Sequence, residues 1–386
     1  MKEYGGENLR SINFEDTVFN RIPLRKHKNV CFDKNALVMP TRHVLRTLRH
    51  IYKNGYSNPS STYLDGQKAS ELIEKARMKT ATALGCDTDE IFFTSGASES
   101  NSWALKIARL SVDPSSHHSL KAARYVKDTK EKKIIAFPWI VSETGECLKN
   151  KYNLNLKGAH YFIDITQAIG KDKIDLHSMP NVLMASASGQ KFGSIQGAGI
   201  LYIKREFQDN IEPLIYGSQE RGLRGGTTNL PAIVCFGEAI EEATRNLEKN
   251  VKKTNEIISA IRKGIDKEIN KVYYDMQDRR YYYGIGNPLE YGYDSNVINI
   301  TFNNISAATA VQLFSQYGIN ISAGSACEAE QETPSQAYLE SGYTTEEAMR
   351  TIRVSVDSYN TKKEVRKFIK VLKKVVALYD NEGDDS

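Results

Sequence analysis

The chain has 386 residues, 40% of them hydrophobic, which is enough for a sizeable core and, by length alone, for two or three domains. Its 52 Lys and Arg nearly balance its 47 Asp and Glu, and a net charge of +5 spread along the sequence argues against specific nucleic-acid binding. The five cysteines (Cys31, Cys86, Cys147, Cys235 and Cys327) form no CxxC pair, no apolar run reaches membrane-spanning length, and Met1–Glu7 does not read as a signal peptide; the expectation is a cytoplasmic protein with no disulfide scaffold, no metal site and no membrane association.

Residues 1–28 are polar and basic with little periodicity and read as an arm. From Val30 onward, short apolar runs alternate with helical patterns, which predicts an α/β fold with a mostly parallel sheet. A helix is expected over 66–84, with Leu72, Ile73, Ala76 and Thr80 on one face. Strands are expected at 90–94, 133–140, 159–164, 182–187 and 197–203. A long helical stretch runs from Pro231 to about Ile269, with Ile233, Phe236, Ala239, Ile240 and Ala243 at spacings of three and four. Residues 272–295, rich in Tyr, Asp, Gly and Arg, read as a surface loop or dimer contact, with base stacking as the other option. An alternating strand follows at 296–302. The last helix starts from the N-cap candidate Thr361 and turns Val365, Phe368, Ile369, Leu372, Val375 and Val376 inward. The acidic tail Asp380–Ser386 is expected to fray.

Four motifs carry chemistry. Lys191 lies in Ser188-Gly189-Gln190-Lys191-Phe192-Gly193, just past an apolar strand. It follows Asp164 by 27 residues and Gln167 by 24. A lysine so placed can hold pyridoxal phosphate (PLP) as a Schiff base while the aspartate keeps the pyridine nitrogen protonated; out of context it would be an ordinary solvated turn residue. Upstream, Ile91-Phe92-Phe93-Thr94-Ser95-Gly96-Ala97-Ser98 reads as strand, small-residue turn and helix start. The amides there, Ala97 included, and the Ser98 hydroxyl would face an anion at the helix N-terminus. Downstream come Gln219-Glu220-Arg221-Gly222-Leu223-Arg224-Gly225-Gly226-Thr227 and Ser322-Ala323-Gly324-Ser325-Ala326-Cys327.

Together with Asn58-Pro59-Ser60-Ser61, these motifs resemble, in order and from about residue 29 to about 376, the cysteine desulfurases (NifS-like proteins) of the class V aminotransferase family. The Lys-, Tyr- and Asn-rich composition is also similar to that of NifS-like proteins of large cytoplasmic DNA viruses. The resemblance implies a PLP-dependent transferase of fold type I. A larger cofactor-binding domain over 29–249 would carry the parallel sheet, and a smaller α+β domain over 250–386 would carry the Cys327 loop. It implies PLP on Lys191, which also moves the proton at the substrate's Cα. Asp164 would pair with the pyridine nitrogen and Gln167 with the phenolic oxygen. Phosphate would be held by Ala97, Ser98, Ser188 and Gln190, and by Thr227 from the neighbouring subunit of a homodimer. Cys327, on a polar segment, would attack the sulfur of bound L-cysteine, become a persulfide and pass sulfur to an acceptor protein. Arg353, in Thr351-Ile352-Arg353-Val354-Ser355, would clamp the substrate carboxylate, with Asn35 and Ser142 also at the substrate.

Each residue has a plainer reading: a water-exposed strand-end carboxylate for Asp164, a helix-face residue for Gln167, a buried structural thiol for Cys327 and a structural ion pair for Arg353. Several positions depart from the family pattern. Gln190 replaces a histidine, Ser142 replaces an asparagine, and Asn35-Ala36-Leu37-Val38 stands for Asn-Ala-Ala-Thr-Thr. The interval from Ser98 to Ser142 is short, which leaves Ser116-His117-His118-Ser119 as the only source of a ring-stacking histidine. His117 is the better match, beside His118 and beside a histidine pair without function. The alternatives to a desulfurase are a selenocysteine lyase, an aminotransferase, or a scaffold that kept the fold.

Overall fold

The computed structural model describes residues 29–54, 57–121, 134–209, 211–269, 295–324 and 333–380. The arm, all but the last residue of the tyrosine-rich segment, Cys327 and nearly all of the acidic tail lie outside the described residues.

A short strand β1 (Val30–Cys31) leads into helices α1 (Arg42–Asn54) and α2 (Leu64–Leu84). Helix α2 ends where Gly85 takes a left-handed conformation (φ 61°) and its N–H caps the carbonyls of Ala81 and Thr82. Next come β2 (Ile91–Thr94), α3 (Ala97–Ile107), β3 (Leu110–Val112), the single turn α4 (His118–Lys121), β4 (Ile134–Pro138), β5 (Tyr161–Asp164), β6 (Val182–Ser188) and β7 (Gly199–Ile203). The six strands β2 to β7 form one sheet in the order β2-β7-β6-β5-β4-β3, in which β7 alone runs against the others. This is the mixed, mostly parallel α/β sheet that the run of apolar segments predicts. All residues of β2, β5, β6 and β7 are buried, as expected for strands covered on both faces. One face packs against α1, α2 and α5 (Leu230–Arg245), and the other against α3 through Trp103 and Ala104 and against α4 through Leu120.

The rest of the chain builds a second core. Helix α6 (Leu247–Glu268) is followed by β8 (Val297–Thr301), α7 (Ala307–Gln316), β9 (Ile319–Asn320), α8 (Gln336–Glu340), α9 (Thr345–Met349), β10 (Thr351–Ser355) and α10 (Lys362–Asp380). Strands β8 and β10 pair antiparallel, and β1 pairs with β9 in parallel. Val30 and Phe32 therefore pack in this second core, far along the chain from their sequence neighbours. Thr361 caps α10 as its sequence suggests: its hydroxyl accepts from the Glu364 N–H at 3.2 Å, and Glu364 reaches back to the Thr361 N–H.

The helical stretch expected from Pro231 to Ile269 is two helices rather than one. Asn246 leaves the helical conformation (φ −98°, ψ 10°) and its side chain donates to the Glu242 carbonyl at 3.0 Å. The break has a packing reason. Helix α5 buries Ile233, Phe236, Ala239 and Ile240 in the first core, whereas α6 buries Ile257, Ile258, Ile261 and Ile265 in the second. One straight rod could not serve both. Among the described residues no helix is long and apolar enough to cross a membrane.

Candidate active site

The carboxyl ends of parallel strands form the usual ligand crevice of such sheets. Asp164 is the last residue of β5, and Lys191 follows β6 by three residues in a tight turn over Gly189–Lys191. Asp164 is buried, and its hydrogen-bond donors are neutral: the Thr166 N–H at 2.9 Å and Asn101 Nδ2 at 3.5 Å. Burial outweighs these bonds and the nearby Lys191 charge, holding the carboxyl above its ordinary range.

Asn101, on α3, extends this contact outward. Its Oδ1 accepts from Ser186 Oγ at 2.6 Å and its Nδ2 donates to Ser119 Oγ at 2.9 Å. Ser119 in turn engages His117 Nδ1, through the hydroxyl at 2.8 Å and the backbone N–H at 3.3 Å. A ring nitrogen that accepts an N–H is unprotonated, so neutral His117 carries its proton on Nε2. The ring is exposed yet recessed among protein groups. Desolvation first, then the charges of His118, Lys191 and Lys121, push its pKa down to about 4. His117 also lies against His118, with ring centroids 4.0 Å apart. The candidate histidine is thus connected to Asp164 through Ser119 and Asn101.

A second network joins the two cores around Asn35. Its backbone carbonyl accepts from Lys191 Nζ at 2.8 Å and Gln167 Nε2 at 2.9 Å; the Ala36 carbonyl also accepts from Lys191, at 2.9 Å. Its side-chain Nδ2 donates to the Ser142 carbonyl at 2.9 Å, and its backbone N–H donates to Ser355 Oγ at 3.0 Å. Gln167 Nε2 also faces Ser142 Oγ at 3.4 Å. Ser142 occupies a turn that requires Gly145: at φ +72° with Ser295 and Val297 pressed against it, no side chain fits there. Arg353, central in β10 and fully buried, reaches this turn. Nη1 lies 3.3 Å from both the carbonyl and the hydroxyl of Ser142, and Nη2 pairs with Asp33 at 2.7 Å. Among the described residues, the buried Arg353 Nε has no hydrogen-bond partner.

Lys191, Asp164, Gln167, Asn35, Ser142 and Arg353 therefore converge, and His117 connects to them from α4. The anion-facing candidates form a neighbouring group. Ala97 and Ser98 open α3, and Gly96 lies beside the buried Ser188, whose hydroxyl donates to Gln190 Oε1 at 2.6 Å. Thr227 stands apart: it is exposed, and among the described residues no hydrogen bond joins it to the others. Its loop is held under strain. Glu220 and Arg221 adopt left-handed conformations (φ 46° and 59°), while Glu220 accepts from both Nη atoms of Arg77 and from the Phe93 N–H. Arg224 pairs with Glu99 at 2.8 Å.

Cys327 lies outside the described residues, but the segment leading to it does not. Ser322 forms a backbone bridge with Arg353, its carbonyl accepting the Arg353 N–H at 2.7 Å. The four described cysteines are free, and burial pushes every one of their thiols up, Cys235 to about 12. All four are therefore poor thiolates.

The sequence reading missed Asn101, Ser119, Asp33 and Lys171. Lys171 follows Gln167 by one helical turn, donates to Gln167 Oε1 at 2.7 Å and Asn35 Oδ1 at 3.0 Å, and was detectable only by that spacing.

Comparison with known proteins agrees with this geometry. The family profile "Aminotransferase class-V" matches residues 30–118 and 104–368. The cysteine desulfurase IscS of Clostridium botulinum (strain Hall) is 29% identical over 393 residues, covering 91% of this chain and 95% of the relative. A solved "NifS-like protein" superposes with a TM-score of 0.75 at 28% identity, over 91% of this chain and 100% of that one. The structure "SspA in complex with cysteine" superposes with a TM-score of 0.66 at 25% identity, over 86% and 100%. The chain belongs to the class-V aminotransferase family, whose members are PLP-dependent enzymes, and within it is cysteine desulfurase-like.

Proposed function

We propose that the chain is a PLP-dependent cysteine desulfurase that moves the sulfur of L-cysteine onto Cys327, releases alanine and hands the sulfur to an acceptor protein in the cytoplasm. The observation that carries this reading is the convergence of Lys191, Asp164 and Gln167 on one crevice with Arg353 brought in from the other core. The residues fit the cofactor. The buried Asp164 carboxylate has only neutral hydrogen-bond donors, which a protonated ring nitrogen would complement.

Bound here, PLP supplies an electron sink for bonds at the amino acid's Cα. Lys191 holds the cofactor and moves the Cα proton. Asp164 keeps the ring nitrogen protonated, and Gln167 Nε2 supplies a hydrogen-bond donor on the ring's oxygen side. The opening turn of α3, Ser98 and Ser188 receive the phosphate, with Thr227 contributed across a homodimer interface. Arg353, its fork oriented by Asp33 and Ser142, binds the substrate carboxylate. His117, neutral at rest with its proton on Nε2, is the acid–base group and becomes charged only while it holds a transferred proton.

Sulfur transfer then falls to Cys327, because the described thiols are poor thiolates. Only three residues of chain separate Cys327 from Gly324, a reach of at most about 11 Å, and Gly324 is two residues from the bridge to Arg353. As the Cys327 thiolate attacks, the S–S bond forms, the substrate's C–S bond breaks, and the carbon takes up a proton to leave alanine. Ser142, shorter than the family's asparagine, is expected to make turnover slow.

The test is mass spectrometry after mixing protein, PLP and L-cysteine. The Cys327 peptide is expected to gain one sulfur, and Cys327→Ser is expected to bind PLP yet yield no persulfide. Wild-type protein that binds PLP but forms no persulfide over hours would replace this reading with a scaffold role. Sedimentation is expected to give a dimer; a monomer retaining full cofactor would remove Thr227 from the site.

A further inference from the structure

Lys171 is absent from the roles assigned above, yet it sits directly behind them. Its ammonium donates to Gln167 Oε1 and Asn35 Oδ1, and Asn35 Oδ1 takes a further bond from Asn296 Nδ2 at 2.8 Å. A lysine ammonium has donors only, so whatever oxygen it binds must be an acceptor. A carboxamide has one oxygen and one NH2, and anchoring the oxygen determines where the NH2 points. For Gln167, Nε2 is then turned to the Asn35 carbonyl and Ser142 Oγ; for Asn35, Nδ2 is turned to the Ser142 carbonyl.

We propose that Lys171 is a positioning residue of this site: by holding the oxygens of Gln167 and Asn35 it sets both amides with their N–H donors toward the crevice. The proposal rests on the reading of Gln167 as a cofactor-facing donor. Without Lys171 the Gln167 amide could flip and present an oxygen, a repulsive partner for the cofactor's ring oxygen. The surroundings favour the assignment. Lys171 lines a cavity of about 90 Å3 together with Lys191, Glu242, Asn296 and Asp357. Burial, then the charges of Lys191 and Arg353, bring its pKa down to about 7 against the opposing pull of Asp357. A cation in such a place is costly, and the two short bonds to amide oxygens offset part of that cost.

The experiment compares wild type, Lys171→Met and Lys171→Arg, each loaded with PLP. The readout is the pH midpoint of the visible absorption change of the bound cofactor, which a merely structural role would leave in place. An N–H donor oriented by Lys171, with the Lys171 charge behind it, stabilises negative charge on the cofactor's ring oxygen, so the proton on the Lys191 nitrogen leaves more readily. Removing them in Lys171→Met is expected to raise the midpoint by about one pH unit, and Lys171→Arg is expected to restore most of the difference. An unchanged midpoint in cofactor-bound Lys171→Met overturns the proposal.

A second arm needs no cofactor. In the cofactor-free protein, the fall in Tm caused by Lys171→Met is expected to shrink by at least half in a Gln167→Leu background; equal falls in both backgrounds overturn the proposal. This arm decides wherever a variant fails to hold PLP, and Lys171→Gln replaces Lys171→Met if the latter does not fold. A wild-type protein with no cofactor band would count against the proposed function, while the cofactor-free arm would still judge Lys171.

Discussion

Arg353 and Ser142, 211 residues apart, meet through two contacts of 3.3 Å from one guanidinium nitrogen. The other terminal nitrogen is committed to Asp33, so the fork is oriented before any substrate carboxylate arrives. Replacing Arg353 by Ala leaves the Asp33 carboxylate without its cation in a largely buried place, and the stability lost is expected to be about 3 kcal/mol, read from urea unfolding. Cysteine binding is expected to weaken by about tenfold to a hundredfold. The conservative change Arg353→Lys would retain the charge but not span both contacts. Unaltered cysteine binding in Arg353→Ala would confine the residue to its ion pair.

Lys191 can be isolated chemically. In Lys191→Ala the borohydride-reducible adduct with PLP is expected to vanish, along with two hydrogen bonds to the carbonyls of Asn35 and Ala36. Their loss is expected to cost about 1–2 kcal/mol together. Peptide mapping that finds the adduct of the wild-type protein on another lysine would refute the assignment.

His117 makes a pH-dependent contribution whose sign follows from its depressed pKa. Its folded value of about 4 lies below the ordinary value of 6.5, so between these limits the unfolded chain binds more protons than the folded one. Stability therefore rises with pH across this window and is lost as pH falls from 6.5 toward 4. His117→Asn is expected to flatten that part of the profile. An NMR titration that places the ring's midpoint near 6.5 would contradict the desolvated, neutral state.

Glu220 tests the strained loop. Two left-handed residues in succession cost roughly 1–2 kcal/mol each, and the contacts of Glu220 with Arg77 and the Phe93 N–H are what hold them. Glu220→Ala is expected to destabilise by about 3 kcal/mol, because the buried Arg77 keeps only the exposed Glu74 as a carboxylate partner, and to loosen the segment that ends in Thr227. Sedimentation should then show weaker dimerisation; a fully stable dimer would mean that the loop is not needed at the interface.

How much of this could be read in advance depended on range. The strands read at 90–94, 159–164 and 182–187 are observed to within two residues, because a strand buried on both faces declares itself in a few consecutive apolar residues. Lys191, Asp164 and Gln167 could be singled out as candidates for the same reason, since they lie at or just beyond the ends of such strands. The break at Asn246 was not, because a continuous apolar stripe says nothing about which core each half faces. Nothing in the sequence but its four-residue spacing from Gln167 marked Lys171, and tertiary contacts made it a partner of two amides. Asp33 carried no local signal: its partner is 320 residues away. Helix α1 was overlooked because it buries only Val44 and Ile51.

The seating of β1 against β9, with the Asn35 N–H on Ser355, has a consequence for how the protein comes into being. The first described residues of the chain can find their places only after about nine-tenths of it has been made. During synthesis, the sheet between β2 and β7 can form while Asn35, and with it the seat of the Lys191 ammonium, still waits for β10. The catalytic crevice is therefore a late product of folding. A nascent or truncated chain ending before Thr351 would carry a sheet, and the lysine, without a site.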